Sequence, residues 1–222
     1  RMEIIKTELL EIKDLYGDER RTEIIPVDTD FSMEDMIAEE EVVLTITHQG
    51  YIKRTALNTY RSQRRGGRGV QGAMSKDEDF VEHLFIANTH NYMLFFTDTG
   101  KCYWLKVYDI PQAGRASRGR AIVNLIGCAP EEKVEAFVSV KEFDDDHYIV
   151  MATRNGAIKK TVLSAYGKPR KGGIYAIEIR DGDKLIQARV SNGENDILLG
   201  THEGKSIRFS ENDIRPSGRK TM

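Results

Sequence analysis

The residues best suited to chemistry in this chain are arginines and glycines clustered between positions 61 and 69. An arginine side chain carries a planar fork of N–H donors that pairs with two phosphate oxygens at once. Glycine lets the backbone approach a phosphate closely and present its own N–H group. The segment therefore predicts phosphate binding, and its candidate residues are Arg61, Gln63, Arg64, Arg65, Gly66, Gly67, Arg68 and Gly69. The alternatives for such a composition are a mobile basic loop and an RGG-type segment that binds RNA while disordered.

Loops of similar composition recur at residues 115–120, 168–173 and 215–220. Their candidate phosphate ligands are Arg115, Arg118, Arg120, Lys168, Arg170, Lys171, Arg215 and Arg219. Basic residues also occupy corresponding strand positions shortly after three predicted turns, and we include them among the candidates: Lys53, Arg54, Lys159, Lys160 and Arg208. The pair Tyr103-Trp104 replaces the basic pair in one repeat, and we interpret it as packing.

A repeated strand pattern positions these segments. From Val42 onward, an apolar run, a Thr-x-x-Gly turn and a second strand occur four times, with turn glycines at Gly50, Gly100, Gly156 and Gly204. Glycine suits the left-handed position that closes a short hairpin. Repeats of about 50 residues that consist of several short strands are typical of propeller blades. We therefore predict an all-β, propeller-like fold of about four antiparallel blades, with repeats near residues 42–92, 93–148, 149–196 and 197–222.

A helical and acidic segment, residues 1–41, precedes the repeats. Apolar residues at spacings of three and four predict a helix over the first 16 residues, ended by Gly17. Residues 1–41 hold 14 acidic and 5 basic residues, which leaves 21 acidic and 28 basic residues in the remainder. The basic body, residues 42–222, therefore predicts a polyanionic partner, the alternative being ordinary solvated surface.

Composition and motifs exclude several classes of function. Hydrophobic residues make up 40% of the chain and charged residues 31%, which fits a folded domain. No apolar run approaches the roughly 20 residues needed to cross a bilayer, so we expect no membrane partner. The histidines show no metal-ligand spacing, and no Walker A sequence is present. We therefore expect no catalytic residue, no metal and no cofactor in this chain.

One segment carries a specific family resemblance. Gln63-Arg64-Arg65-Gly66-Gly67-Arg68-Gly69 resembles the seven-residue box in the C-terminal β-pinwheel of the gyrase A family, the A subunits of DNA gyrase. The hairpin over residues 50–55 and the lead-in over residues 16–22 are similar to that family as well. The resemblance runs from about Glu8 to the end of the chain.

The resemblance implies a pinwheel that binds, bends and wraps duplex DNA without sequence specificity. It implies a role in a bacterial, ATP-dependent type II topoisomerase, an isomerase that introduces negative supercoils, located in the cytoplasm on the chromosome. The B subunit of gyrase is then a partner, and ATP and Mg bind in other regions of that complex. The DNA-cleaving tyrosine of the family lies upstream, and the family's pinwheel has more blades, so we expect a fragment. The alternatives are the C-terminal domain of the topoisomerase IV A subunit, whose box is typically degenerate, and a propeller-like protein-interaction module.

Overall fold

The computed structural model describes residues 1–22, 33–60 and 79–221. The chain divides into two compact units, Arg1–Met36 and Ile37–Met222. In the first unit, helix α1 spans Met2–Tyr16 and a 3₁₀ helix spans Met33–Met36. The predicted helix is confirmed, and it ends at Gly17, whose backbone is extended rather than left-handed. The residues of its apolar stripe are all exposed: Met2, Ile5, Leu9, Ile12 and Tyr16.

The second unit consists mainly of antiparallel strands. They are β1 Glu41–Thr47, β2 Tyr51–Ala56, β3 Val81–Asn88, β4 Tyr92–Thr97, β5 Lys101–Lys106, β6 Arg120–Ala121, β7 Val134–Val140, β8 Tyr148–Thr153, β9 Ile158–Val162, β10 Ile174–Tyr175, β11 Leu185–Ser191, β12 Asp196–Gly200 and β13 Ser206–Ser210. Helix α2 spans Ile122–Ile126, and short 3₁₀ helices span Leu57–Thr59, Val107–Asp109, Leu163–Tyr166 and Glu211–Asp213. The predicted all-β architecture is confirmed, whereas α2 is absent from the sequence prediction.

The Thr-x-x-Gly turns are structurally equivalent in all four repeats. Each glycine has a positive φ, between 77° and 87°, and its N–H donates to the threonine carbonyl three residues earlier over 2.9 to 3.0 Å. Each threonine hydroxyl also accepts from the N–H four residues later, as Thr47 Oγ1 does from Tyr51 over 3.2 Å. A type I turn followed by a left-handed glycine is a common hairpin connection. The motif is therefore one structural unit that closes four hairpins.

The third long strand of each complete repeat is fixed to the tip of that turn. The N–H of the residue after the threonine donates a hydrogen bond of 2.8 Å to the carbonyl of the residue just before the third strand. These acceptors are Phe80, Lys133 and Lys184. Asp79 Oδ1 accepts from the Gln49 N–H at 3.1 Å, and Asp183 Oδ1 accepts from the Asn155 N–H at 2.9 Å. These third strands are β3, β7 and β11.

The sheets do not follow the sequence repeats strictly. Their strand orders are β3-β1-β2-β6, β10-β5-β4-β7, β11-β8-β9 and β12-β13. Strand β6 comes from the second repeat but pairs with β2 of the first, and β10 comes from the third repeat but pairs with β5 of the second. Each of these repeats therefore contributes a short strand to the sheet before it, which ties successive sheets together.

The core lies between the sheets, and β4 shows why its sequence is continuously apolar. Met93 and Phe95 pack in the cluster shared with the first sheet, whereas Leu94 and Phe96 pack in the cluster shared with the third. Side chains alternate between the two faces of a strand, so a strand with sheets on both sides is apolar throughout. Among the described residues, no helix combines the length and apolarity that crossing a membrane requires.

Candidate nucleic-acid interface

The basic loops occupy equivalent places in successive repeats. The described loops at 115–120, 168–173 and 215–220 each follow a 3₁₀ helix, and the first two lead into β6 and β10, the strands that join the preceding sheet. The structure therefore places each of these two loops at the junction between two sheets. The arginine- and glycine-rich segment, with Arg61, Gln63, Arg64, Arg65, Gly66, Gly67, Arg68 and Gly69, lies outside the described residues.

Most of the predicted loop residues present exposed side chains. The exposed set comprises Arg115, Arg120, Lys168, Arg170, Lys171 and Arg215. Arg219 is half-buried. Arg208 is exposed but stands on β13 rather than in a loop, and its guanidinium pairs with the Asp196 carboxylate. Five of the predicted residues are therefore exposed in loops, whereas Arg120 is exposed at the start of β6 and Arg208 is exposed on β13.

Arg118 is held more firmly than its neighbours. Its guanidinium lies 3.7 Å from the centroid of the Tyr51 ring, and its Nε donates to Asp79 Oδ2 at 3.3 Å. A further hydrogen bond reaches the side chain of Gln49. These three partners belong to the first repeat, so Arg118 joins its loop to the preceding blade. Its side chain keeps 31% exposure, enough to face solvent on one side.

Lys53 and Lys159 do not fit the predicted role, because both are buried. Their relative exposures are 1% and 2%, so a phosphate cannot reach either ammonium. Lys53 Nζ donates to the carbonyls of Gly114, Arg115 and Ser117 at 3.2, 2.6 and 2.8 Å. The corrected role of these lysines is to bind backbone carbonyls inside the protein. Lys159 Nζ has the same kind of partners, at the carbonyls of Ala176, Arg219 and Thr221.

Their environment also perturbs their ionisation. Burial lowers the pKa of Lys53, because removing an ammonium from water disfavours the charged form. Burial is also the main reason that the pKa of Lys159 falls to about 8. The charge of Arg219 lowers that pKa further, while the charge of Glu178 opposes the change.

The side chain at the next position along the strand contacts the following repeat. The burial of Lys160 corrects its predicted role, whereas the half-buried Arg54 stays a predicted contact. Arg54 Nε donates to the Ile110 carbonyl at 2.7 Å. Lys160 is only 4% exposed; its Nζ lies 3.4 Å from the Glu211 carbonyl and 3.8 Å from the carboxylate of the same residue. Trp104, which replaces them in the second repeat, donates from Nε1 to the Tyr166 carbonyl at 3.0 Å. All three side chains therefore reach the 3₁₀ region of the next repeat. Trp104 also packs against the hydrophobic core, which confirms its interpretation as a packing residue.

Two loop glycines fit the close approach between repeats. Gly119 has φ +88°, and a Cβ placed there would collide with the Ile52 carbonyl. Gly173 has φ +72°, and a Cβ placed there would lie 2.8 Å from the Tyr103 ring. Tyr103 stands at the position that Lys53 holds in the first repeat, and its hydroxyl donates to Glu132 Oε2 at 2.8 Å. These glycines therefore allow the backbone of each loop to pack against a strand of the preceding repeat.

Comparison with known proteins gives matches over nearly the whole chain. The sequence profile of the DNA gyrase C-terminal domain, beta-propeller, matches residues 41–88, 91–127, 147–192 and 195–222. The A subunit of DNA gyrase from Clostridium acetobutylicum is 51% identical over 219 residues, which cover 99% of this chain and 26% of that protein. The corresponding protein from Neisseria gonorrhoeae is 51% identical over 209 residues, which cover 94% of this chain and 23% of that protein. The chain thus spans about a quarter of the length of these curated relatives.

Solved structures show the same architecture. The C-terminal domain of a DNA topoisomerase IV superposes with a TM-score of 0.70 at 29% identity, over 84% of this chain and 56% of that one. A DNA gyrase A C-terminal domain superposes with a TM-score of 0.64 at 25% identity, over 82% of this chain and 58% of that one.

Proposed function

The chain belongs to the DNA gyrase C-terminal domain family, beta-propeller, as the sequence resemblance predicted, and we propose that it binds duplex DNA through its phosphates. The observation that carries this proposal is the recurrence of an exposed basic loop at the same place in successive repeats. Phosphate contacts position a protein on DNA but carry no base-sequence information. Binding is therefore expected to be largely independent of sequence. The proposed contacts are Arg115, Arg120, Lys168, Arg170, Lys171 and Arg215, with Arg118 and Arg219 contributing from their exposed sides.

The arrangement of the loops supports a bent DNA path. Bending a site of 20–30 base pairs by 40–90° costs on the order of 1–6 kcal/mol. Basic loops at successive sheet junctions can offset that cost when they act on one duplex together. The segment with Arg61, Arg64, Arg65 and Arg68 is the densest basic cluster in the sequence, and we propose it as the anchor of the path.

The proposal extends to a larger enzyme. We place the chain within the A subunit of an ATP-dependent type II topoisomerase, where it would present wrapped DNA so that strand passage introduces negative supercoils. The B subunit of gyrase would be its partner, and ATP and Mg would bind to other parts of that assembly. The expected location is the bacterial cytoplasm, on the chromosome.

The salt dependence of binding tests the phosphate contacts directly. Because each neutralised phosphate releases counterions, log affinity should fall with log salt at a slope of about −0.9 per contact. Replacing Lys168, Arg170 and Lys171 together by alanine should reduce the magnitude of that slope. The matched control is Lys141→Ala, which removes an exposed positive charge outside the loops and should leave the slope unchanged. A flat salt response in the unaltered chain, or strong preference for one short sequence, would refute the proposal.

The role in supercoiling is tested in the full-length gyrase A protein. Replacing residues 63–69 by alanine should abolish negative supercoiling of relaxed plasmid by the reconstituted enzyme with ATP. DNA cleavage and ATP-dependent relaxation should persist, because those reactions use residues elsewhere in the enzyme. Supercoiling at the unaltered rate would show that the segment is not the anchor, and simultaneous loss of cleavage would indicate a folding defect.

Topoisomerase IV is the second candidate for the parent enzyme, since the C-terminal domain of such an enzyme superposes well on this chain. The intact seven-residue box at 63–69 favours gyrase. The supercoiling assay separates the two, because introduction of negative supercoils is expected only from gyrase. A module that binds only proteins would instead show no salt-dependent DNA binding.

A further inference from the structure

The buried ammonium of Lys53 binds the backbone of a loop that belongs to the following repeat. Its Nζ contacts three carbonyls within four consecutive residues, at Gly114, Arg115 and Ser117. A protonated lysine has three N–H donors and no acceptor, so one donor is available for each carbonyl. The contacts therefore fix the orientation of several peptide groups in the segment that carries Arg115 and Arg118.

A similar arrangement occurs two repeats later, where two of the three carbonyls belong to the loop of the following repeat and the third, that of Ala176, belongs to the same repeat as the lysine. Lys159 Nζ donates to the carbonyls of Arg219 and Thr221 at 2.5 and 2.7 Å, and to that of Ala176 at 3.0 Å. Arg115 and Arg219 thus correspond, because each is a basic loop residue whose carbonyl is bound by the lysine of the preceding repeat. Two independent occurrences indicate that the contact is a feature of the repeat.

The orientation of these peptides determines where their N–H groups point. The described residues contain no cis peptide bond, and in a planar trans peptide the N–H points opposite to the C=O. Carbonyls that face the Lys53 ammonium therefore direct the N–H groups of Arg115, Ala116 and Arg118 away from it. Successive N–H groups that converge on the outer side of a turn can bind an anion.

We propose that Lys53 and Lys159 are positioning residues for DNA binding, each orienting a loop of the following repeat so that its peptide N–H groups and arginine side chains receive a phosphate. This inference rests on the proposed function and assigns these two buried residues a part in it. The lysines act without touching DNA. A phosphate site in this fold is then shared between two repeats, one supplying the ligands and the other holding them in place.

A double-mutant cycle tests the coupling between the buried lysine and the loop. The variants are Lys53→Met, Arg115→Ala and their combination, measured by fluorescence anisotropy with a labelled duplex of about 30 base pairs. Lys53→Met should weaken binding about three- to tenfold and lower the magnitude of the salt slope by about one phosphate contact. Because both substitutions disable the same loop, the combined loss should be smaller than the product of the single losses.

The matched control is Lys106→Met. The Lys106 ammonium donates to the His90 carbonyl at 2.9 Å and lies over the Tyr92 ring, so the variant removes the same charge from an ammonium–carbonyl contact outside the basic loops. It should keep the salt slope of the unaltered chain. A slope unchanged in Lys53→Met, or losses from Lys53→Met and Arg115→Ala that simply multiply, would overturn the proposal.

Hydrogen exchange on the unaltered chain gives a second test that does not depend on a variant folding. Adding the same duplex should slow exchange of the amides of Arg115, Ala116 and Arg118. Tight DNA binding without protection of these amides would overturn the positioning role while leaving the proposed function intact. Absence of any DNA binding would overturn both. If Lys53→Met fails to fold, the exchange measurement decides alone.

Discussion

The turn glycines offer a sharp test of how successive repeats contact each other, because two of them differ in one respect. Gly50 and Gly100 have φ values of +77° and +83° and occupy equivalent turns in two repeats. The backbone carbonyl of each accepts a hydrogen bond from the next repeat. An added Cβ at Gly50 meets no heavy atom within 4 Å, whereas at Gly100 it lies 2.6 Å from the Ile177 carbonyl oxygen. Alanine at the two positions therefore separates backbone strain from contact between repeats.

The expected magnitudes follow from these geometries. A left-handed conformation costs a residue other than glycine about 1–2 kcal/mol, so Gly50→Ala should destabilise the chain by that amount. Gly100→Ala carries the same strain and also displaces Ile177, whose N–H, like that of Ala176, donates to the Gly100 carbonyl. Overpacking of this kind costs about 1–3 kcal/mol, which makes a total of about 2–5 kcal/mol.

Equilibrium unfolding in urea measures the free energy of unfolding of both variants. The dependence of each free energy on urea concentration is compared as well, to confirm that the substitutions change stability alone. Gly156→Ala is a further control, because its φ is +87° and its Cβ also meets nothing within 4 Å. It should match Gly50→Ala. A loss for Gly100→Ala within about 0.5 kcal/mol of the other two would show that the close approach to Ile177 contributes nothing.

Three further outcomes are expected. Lys160→Met should reduce the free energy of unfolding by about 3–5 kcal/mol, because it leaves the fully buried Glu211 carboxylate without its cation; adding Glu211→Leu should restore much of the loss in chemical denaturation. Burial would raise the pKa of Asp98, but hydrogen bonds, led by the one from Lys184, outweigh it and lower the pKa. Asp98 therefore stabilises the fold fully above its unfolded pKa of about 3.9, and this contribution is lost as the pH falls through the lowered folded pKa. Asp98→Asn should accordingly lose less stability on acidification than the unaltered chain. Deleting residues 1–36, which are strongly acidic, should leave DNA affinity in a titration unchanged or higher, and a weaker affinity would show that this segment assists binding.

Much of the fold could be predicted because its determinants are local. The Thr-x-x-Gly turn depends on hydrogen bonds within five residues, and the apolar run of β4 reflects its burial between two sheets. Strands β6 and β10 could not be predicted in the same way. Each has two residues, too few for any periodicity, and each exists because another repeat offers a sheet edge. Helix α2 likewise has only five residues, with no side-chain cap at its first turn.

The candidate site was predictable where charge and exposure coincide, as in the loops. It was not predictable at Lys53 and Lys159, because composition does not reveal which face of a strand a lysine occupies. One signal was nevertheless present in the sequence. The aligned position holds Tyr103 in the second repeat and Ile207 in the fourth, and a position that exchanges lysine with tyrosine and isoleucine is typical of a site where the aliphatic stem is packed.

The contacts between repeats also bear on how a rigid DNA path could arise. Each of the loops at 115–120 and 215–220 is bound by a lysine of the preceding repeat, and Arg118 pairs with Asp79 across the same junction. The position of a loop is then set by the angle between two sheets rather than by the loop alone. If the loops were free to move, ordering them on DNA would add an entropic cost to the bending energy. Loops already fixed at their junctions avoid that cost, which favours the bent DNA path proposed above.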